Sequence, residues 1–374
     1  MARPRHATFI EAYGHIYGGA QRIVHLLAEH LPERGFTTDV VLTREGPVSE
    51  RISASGVEVN VIPTPPALDH YGRSTTGARI PAAIAALPTY WRRLARHLRA
   101  RPGVVHGCSQ RSVILGAPAA RLARARFVWQ VSVLEEERVI SLFCDALAHR
   151  TAGLSASVRV PSLRPWRDQD VVFPPLDPRL DEPLPPERDG VSLVVTAGRL
   201  EPMKEFELLI RAMVKVRQRV DGARLQILGS RQEGHDAYAD ELLALRDRLG
   251  LTDAVEFTGF VPRPEDYWRR ATLHVQPSHA EGNSLAVMEA MASGIPVVVT
   301  STTGNADVVE HGRSGLIVPP KNEAALADAI STLLVDPART AELGAEARRV
   351  ARELYSVDSV VARLVDLYER TAPR

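Results

Sequence analysis

Short runs of β-branched and aromatic residues alternate with amphipathic stretches along the first half of the chain, the pattern of a parallel α/β sheet. The strand-like runs are residues 6–13, 38–43, 57–62, 103–106, 127–133 and 152–155, and helical periodicity falls over 20–33, 90–100, 113–124 and 136–149. From Phe173 to Gly190 the chain is crowded with prolines, which can neither continue a helix nor donate inside a sheet. The alternation then restarts, with strands at 192–197, 224–228, 255–258, 273–276, 296–300 and 316–318. It closes in a helical tail over 323–334, 338–354 and 357–371.

This pattern predicts an α/β chain of two Rossmann-like parallel-sheet domains, residues 1–175 and 191–355. They are joined by a linker at 176–190 and followed by a helix in 356–374 that packs back on the first domain. Two such sheets facing one another leave an interdomain cleft at the carboxyl ends of their strands, where ligands of these folds bind. At 374 residues and 45% hydrophobic, the chain has enough apolar material for both cores. No stretch approaches ~18 consecutive apolar residues, and the opening residues lack the apolar core of a signal peptide. Cys108 and Cys144 are too few for a disulfide framework or a multi-cysteine metal site, so the expectation is a reducing, cytoplasmic setting. The net charge of +1 conceals an asymmetry: residues 1–180 hold 23 arginines against 15 acidic residues, whereas the remainder holds 23 basic against 30 acidic.

Two clusters carry chemistry. Gly198 ends a strand and is followed by Arg199, with Lys204 at the opening of a helix. Two cations beside outward-pointing backbone N–H groups suit a diphosphate, although each could equally be a solvated surface residue. Lysine occurs only three times, at 204, 215 and 321, so a compact point charge at 204 stands out against the arginine background. In the second cluster Glu281 lies in a loop after a strand, Gly282 permits close backbone approach, and Asn283 and Ser284 can cap a helix that begins at Leu285. Glu281 can accept sugar hydroxyls, and Glu289, one turn into the helix, can accept the paired hydroxyls of a ribose.

Gly198 and Arg199 with Lys204, the E-x7-E pair Glu281 and Glu289, and the stretch from Gly312 to Pro319 together resemble the retaining glycosyltransferases of family 4, dense from about residue 191 to 368. Over the first half the likeness is diffuse, carried by Gly18 and Gly19 before a helix and by residues 104–106. The resemblance implies the GT-B fold and transfer of a hexosyl group from a nucleoside-diphosphate-sugar substrate to an acceptor hydroxyl with retention. It implies no cofactor and no metal. Arg199, Lys204 and the backbone N–H groups of residues 283–285 would stabilise the departing diphosphate, Glu281 would position the sugar, and Glu289 the ribose. Gly198, Gly282 and the loop at Gly18 and Gly19 would approach the donor. Glu205 stands where the family often has glycine, Asn283 and Ser284 where it often has an aromatic, and Ser132 where it often has a histidine. His106, ending a strand, is either a sugar contact in compensation or a structural hydrogen-bonding group.

Alternatives of the same fold class are a sugar-nucleotide epimerase, a glycan phosphorylase, or a non-catalytic nucleotide-sugar-binding protein. The segment from Gly14 to Gly19 does not spell G-x-G-x-x-G, which argues against a dinucleotide dehydrogenase. Asp168 and Asp170 spell a metal-binding D-x-D but read as a solvated turn, and Glu135–Glu137 read as the acidic opening of a helix. In residues 90–101, Trp91, Leu94 and Leu98 share a face opposite several arginines. Such a helix is either ordinary and amphipathic or a peripheral contact with the inner face of a membrane. The acceptor is a small molecule, a glycan or a lipid-linked sugar, and nucleic acid is not an expected partner.

Overall fold

The computed structural model describes residues 5–12, 18–69, 80–131, 138–162, 169–180, 190, 192–231, 235–261, 263–281 and 283–371. The chain forms two compact units, one of residues 1–175 with 357–374 and one of residues 176–356.

The first unit runs β1 (Arg5–Glu11), α1 (Gly19–His30), β2 (Phe36–Leu42), α2 (Pro47–Ala54), β3 (Glu58–Val61), α3 (Pro66–Asp69), α4 (Ile80–Ala100), β4 (Val104–Gly107), α5 (Gln110–Leu122), β5 (Arg126–Val131), α6 (Arg138–Leu147), β6 (Arg150–Gly153) and β7 (Asp170–Val171). The seven strands lie in the order β3-β2-β1-β4-β5-β6-β7, every pairing parallel. Helices cover both faces, so central strands are buried on both sides: Ala7, Phe9 and Ile10 of β1 have no exposed surface. A core of Ile10, Val41, Tyr90, Leu94, Phe127 and Trp129 fills this unit.

The second unit continues with β8 (Leu193–Ala197), α7 (Phe206–Arg219), β9 (Arg224–Leu228), α8 (Asp236–Arg248), β10 (Val255–Gly259), α9 (Glu265–Trp268), β11 (Leu273–Gln276), α10 (Leu285–Ala292), β12 (Val297–Thr300), α11 (Thr303–Val308), β13 (Gly315–Val318), α12 (Glu323–Val335) and α13 (Pro337–Tyr355). Its six strands are again all parallel, in the order β10-β9-β8-β11-β12-β13. The chain then returns to the first unit as α14 (Val357–Thr371), which packs on α1.

In both sheets the strand order reverses beside the first strand, between β1 and β4 and between β8 and β11. The loops leaving two such neighbours diverge to opposite faces and open a crevice at their carboxyl ends. In the second unit those loops are residues 198–205 and 277–284, so the topology alone gathers the two clusters singled out by sequence.

Two expectations need correction. Residues 176–180 are part of the second unit and not a free linker: the Leu176 N–H donates to the Tyr355 carbonyl at 2.8 Å, and Leu176 and Leu180 are buried. Residues 181–189 of the expected linker lie outside the described residues. The helix expected from residue 90 begins at Ile80 and runs through Pro88. Ile84 and Pro88 both face outward, so water can serve the carbonyl that the proline leaves without a donor.

Candidate active site

At the end of β8 the backbone turns sharply. A Cβ on Gly229 would lie 1.8 Å from the Gly198 carbonyl oxygen, so a glycine there lets the ends of β8 and β9 close together. Residues 202–204 form one 3-10 turn, and Glu205 then takes left-handed backbone angles, φ 47° and ψ 42°, before α7 begins. This is the position where a glycine would be at ease. The Glu205 side chain is buried beside His279, whose Nδ1 lies 3.3 Å from Oε1, and burial pushes its carboxyl above the usual range.

The turn delivers Lys204 onto the loop after β11. Its Nζ stands 2.5 Å from Glu281 Oε1, and both side chains are largely buried. The same carboxylate oxygen accepts from the Ser278 hydroxyl at 2.8 Å, and Ser278 in turn accepts from Gln276 Nε2 at 2.8 Å. The Thr300 hydroxyl donates to the Ser278 carbonyl, and the Gly304 N–H donates to the Glu281 carbonyl at 3.0 Å. Glu281 is thus fixed from β11, β12 and α11, and it neutralises the lysine ammonium.

Beyond Glu281, Ser284 is the N-cap residue of α10, but its side chain makes no capping bond. Its hydroxyl points to Gln276 Oε1 at 3.5 Å. The first N–H groups of α10 therefore lack a side-chain acceptor and remain suited to an anion. Asn283 is half-buried at this turn, Leu285 opens the helix, and Gly282 lies outside the described residues. Glu289 is buried on the helix. Near it stands Arg179, which grips Asp177 through Nε and Nη2 at 2.9 and 2.7 Å and reaches Glu265 at 3.5 Å. The Asp177 bond chiefly holds its guanidinium in the charged form, and Glu289 adds to that.

Lys204 and Glu281 are brought together, with Gly198 beneath them, 3.2 Å from Lys204 Cε if given a Cβ. Arg199 is not in that contact: its guanidinium is mostly exposed and pairs with Glu201 at 2.8 Å. Gly18 is the N-cap residue of α1 in the first unit, its N–H donating to Gln21 Oε1 at 3.0 Å, and Gly19 is exposed at the same turn. His106 does not reach solvent. It is fully buried, and Gln130, which donates through Nε2 to the Val172 carbonyl at 2.9 Å, presents its carbonyl oxygen to His106 Nε2 at 3.1 Å. Nδ1 then accepts from the Tyr368 hydroxyl at 2.7 Å, and burial lowers the ring pKa from 6.5 to about 4. The structural alternative for His106 is the one this packing supports.

Ser132, Glu135–Glu137 and Asp168 lie outside the described residues. Asp170 pairs with Arg370 at 2.6 Å, and no group of three metal-ligating side chains occurs among the described residues. Trp91 is only half-buried, but its indole donates to the Ile114 carbonyl at 3.0 Å, and Leu94 and Leu98 sit in the core. The apolar face expected for lipid or acceptor is a core face. Sequence reasoning missed Ser278, Thr300, Gln276 and Arg179. Ser278 and Gln276 flank the second cluster closely enough to have been included, whereas Arg179 is hidden in the proline-rich run. A cavity of about 370 Å³ among Arg224, Arg246, Asp253 and Arg270, where β8, β9 and β10 begin, holds none of the expected site residues.

Residues 18–173 match the family described as glycosyl transferase 4-like domain, and residues 192–336 the family described as glycosyl transferases group 1. A GDP-mannose-dependent alpha-(1-6)-phosphatidylinositol monomannoside mannosyltransferase of Mycobacterium tuberculosis is 32% identical over 182 residues, 46% of this chain and 46% of the relative. A D-inositol 3-phosphate glycosyltransferase of Jonesia denitrificans is 31% identical over 261 residues, 66% of this chain and 60% of the relative. The match thus spans about half the length of the first and three fifths of the second. Among solved structures, Anabaena HepE in complex with UDP superposes with a TM-score of 0.80 at 20% identity, covering 97% of this chain and 99% of that one. A sucrose-phosphate synthase of Thermosynechococcus elongatus gives 0.76 at 21% identity and 98% of each chain. No helix among the described residues is long and apolar enough to cross a membrane. With two all-parallel Rossmann-like units and these likenesses, the chain has the GT-B fold, and its sequence similarity supports a glycosyltransferase of that type.

Proposed function

We propose that the protein transfers a hexosyl group from a nucleoside-diphosphate sugar to an acceptor hydroxyl, with retention at the anomeric carbon. The observation that carries this reading is the Lys204–Glu281 contact, set at the carboxyl ends of β8 and β11 beside the uncapped first turn of α10. A diphosphate entering there meets an ammonium and a row of backbone N–H groups, fixed before the charge develops. As the glycosidic bond to the diphosphate breaks, the sugar gains oxocarbenium character and negative charge grows on the leaving oxygens. Lys204 and the α10 N–H groups stabilise that charge, and Arg199 swings from Glu201 to join them. Glu281, released from Lys204 by the phosphate, accepts the hydroxyls of the donor sugar. Glu289 accepts those of the ribose. Gly18 and Gly19, at the start of α1, present no side chain to a ligand.

These cations are the protein's own, so we infer that no metal is required and that activity persists in EDTA. The protein works in the cytoplasm, where nucleotide sugars are available. Titration against UDP- and GDP-sugars, followed by proton NMR of the product's anomeric signal, tests the reading. The expected result is donor cleavage that Lys204→Ala slows by roughly two orders of magnitude or more and a product with the donor's anomeric configuration. Failure of every donor to bind, or an inverted product, overturns it.

A further inference from the structure

We propose that Gln276, a buried side chain at the end of β11, is a positioning residue whose single amide sets the hydrogen bonds on both sides of the diphosphate site. The inference rests on the donor reading given above and adds to it a residue that orders the groups meeting the ligand.

Gln276 has no exposed surface, and its strand lies between β8 and β12, opposite Val299. A polar amide in such a strand is costly unless its ends are bonded. Its bonds run along the site. Glu281 is a carboxylate in contact with a lysine, and a carboxylate only accepts, so the Ser278 hydroxyl gives its single proton to Oε1 at 2.8 Å. With that proton committed, the Ser278 oxygen can only accept from Gln276, and it does so from Nε2 at 2.8 Å. The amide then turns Oε1 the other way, where it accepts from the Ser284 hydroxyl at 3.5 Å. One end of the amide serves the lysine–carboxylate pair and the other the start of α10.

Each end has a consequence. Glu281 Oε1 accepts from Lys204 and from Ser278 together. When a diphosphate draws Lys204 away, the Ser278 bond keeps the carboxylate in place, and it stays aimed while Gln276 occupies the serine oxygen. At the other end, Ser284 is a residue type that caps its own helix. Three other helices show such a cap in use: Ser109 accepts from the Ser112 N–H on α5, Asn322 from the Ala325 N–H on α12 and Asp336 from the Arg339 N–H on α13. Ser284 makes no such bond, and Gln276 Oε1 is the one partner of its hydroxyl among the described residues. Gln276 therefore keeps the first N–H groups of α10 clear for an anion with which a serine cap would compete.

Two double-mutant cycles test this, with free UDP and GDP as probes in calorimetry and turnover of UDP- and GDP-sugars as the second readout. Gln276→Met keeps the length of the side chain and removes both bonding ends. Ser284 is then free to return to the helix, so binding of UDP or GDP should weaken about fivefold, the effect of a typical serine cap. On Ser284→Gly, which has no hydroxyl to return, the same change should cost about twofold or less. In turnover, Gln276→Met should lower kcat about tenfold, the effect of a misdirected bond to a charged group. On Ser278→Ala, which has no hydroxyl to aim, the further loss should again be about twofold or less. Thermal melting checks the fold of every variant, and Gln276→Leu gives the same cycles should the methionine fail to pack. A residue that merely packs would produce equal losses in every background. Wild-type binding with such equal losses overturns the role of Gln276 and leaves the donor reading standing. Wild-type protein that binds neither UDP nor GDP overturns the donor reading and this proposal with it.

Discussion

Lys204 and Glu281 are 77 positions apart in the chain, yet the ammonium of one lies 2.5 Å from the carboxylate of the other. On the proposed reading, the pair keeps a partly buried cation compensated until a diphosphate replaces the carboxylate. Lys204→Ala should therefore lower kcat by roughly two orders of magnitude or more, in the range of other fixed charge-stabilising groups. Because the partners share one interaction, Lys204→Ala with Glu281→Gln should lose less than the sum of the single losses. Steady-state rates of the four proteins check this. Strict additivity, or wild-type turnover in Lys204→Ala, removes the pair from the mechanism.

The two glutamates should separate in a calorimetric titration with free nucleoside diphosphate. On the proposed reading Glu281 contacts the sugar, which this ligand lacks, so Glu281→Gln should bind it nearly as wild type while kcat falls. The proposed contact of Glu289 with the ribose would be made in ground state and transition state alike. Glu289→Gln should weaken binding by about 1–3 kcal/mol and raise KM more than it lowers kcat. Loss of binding in Glu281→Gln with none in Glu289→Gln would reverse the roles.

Much of this architecture is legible in the sequence because both faces of each sheet are covered. Buried strands such as Val297–Thr300 and Leu193–Ala197 then appear as unbroken apolar runs. Lys204 and Glu281 are legible as members of two clusters, but their contact depends on the strand-order reversal between β8 and β11, which no local pattern encodes. The period of Trp91, Leu94 and Leu98 reveals a buried face without saying what covers it. The partners proved to be the core and the Ile114 carbonyl. The two readings of His106 stay open in the sequence for a similar reason: Tyr368, which occupies its Nδ1, comes from 262 positions further along the chain.

Glu205 offers a test of backbone strain. At φ 47° a side chain crowds its own backbone, a penalty of roughly 1–2 kcal/mol that glycine avoids. Glu205→Gly and Glu205→Ala both remove the carboxylate beside His279, so their difference isolates the strain. Denaturant unfolding should show the glycine variant more stable than the alanine variant by about 1 kcal/mol. Equal stabilities, or the reverse order, would mean that the turn relaxes at no cost.

The buried ring of His106 should leave a signature in the acid stability of the protein. In the folded chain its pKa is lowered to about 4 by burial, against 6.5 for an ordinary histidine. Between those values the unfolded chain takes up a proton that the folded chain refuses, so acid favours unfolding. The contribution is complete above pH 6.5 and is lost as pH falls toward 4, where it amounts to roughly 3 kcal/mol at 1.36 kcal/mol per unit. His274 in the second unit, lowered to about 3 for the same reason, adds a parallel loss that continues further into acid. Carboxylates also titrate below pH 5, so the comparison must be between variants. His106→Gln, which cannot take the proton, should be less stable than wild type at pH 7 through its altered bond to Tyr368. Its stability should nevertheless fall less steeply between pH 6.5 and 4. Denaturant curves for the two proteins at matched pH values decide it. Parallel curves across that window would show that His106 takes its proton in the folded state as easily as in the unfolded one.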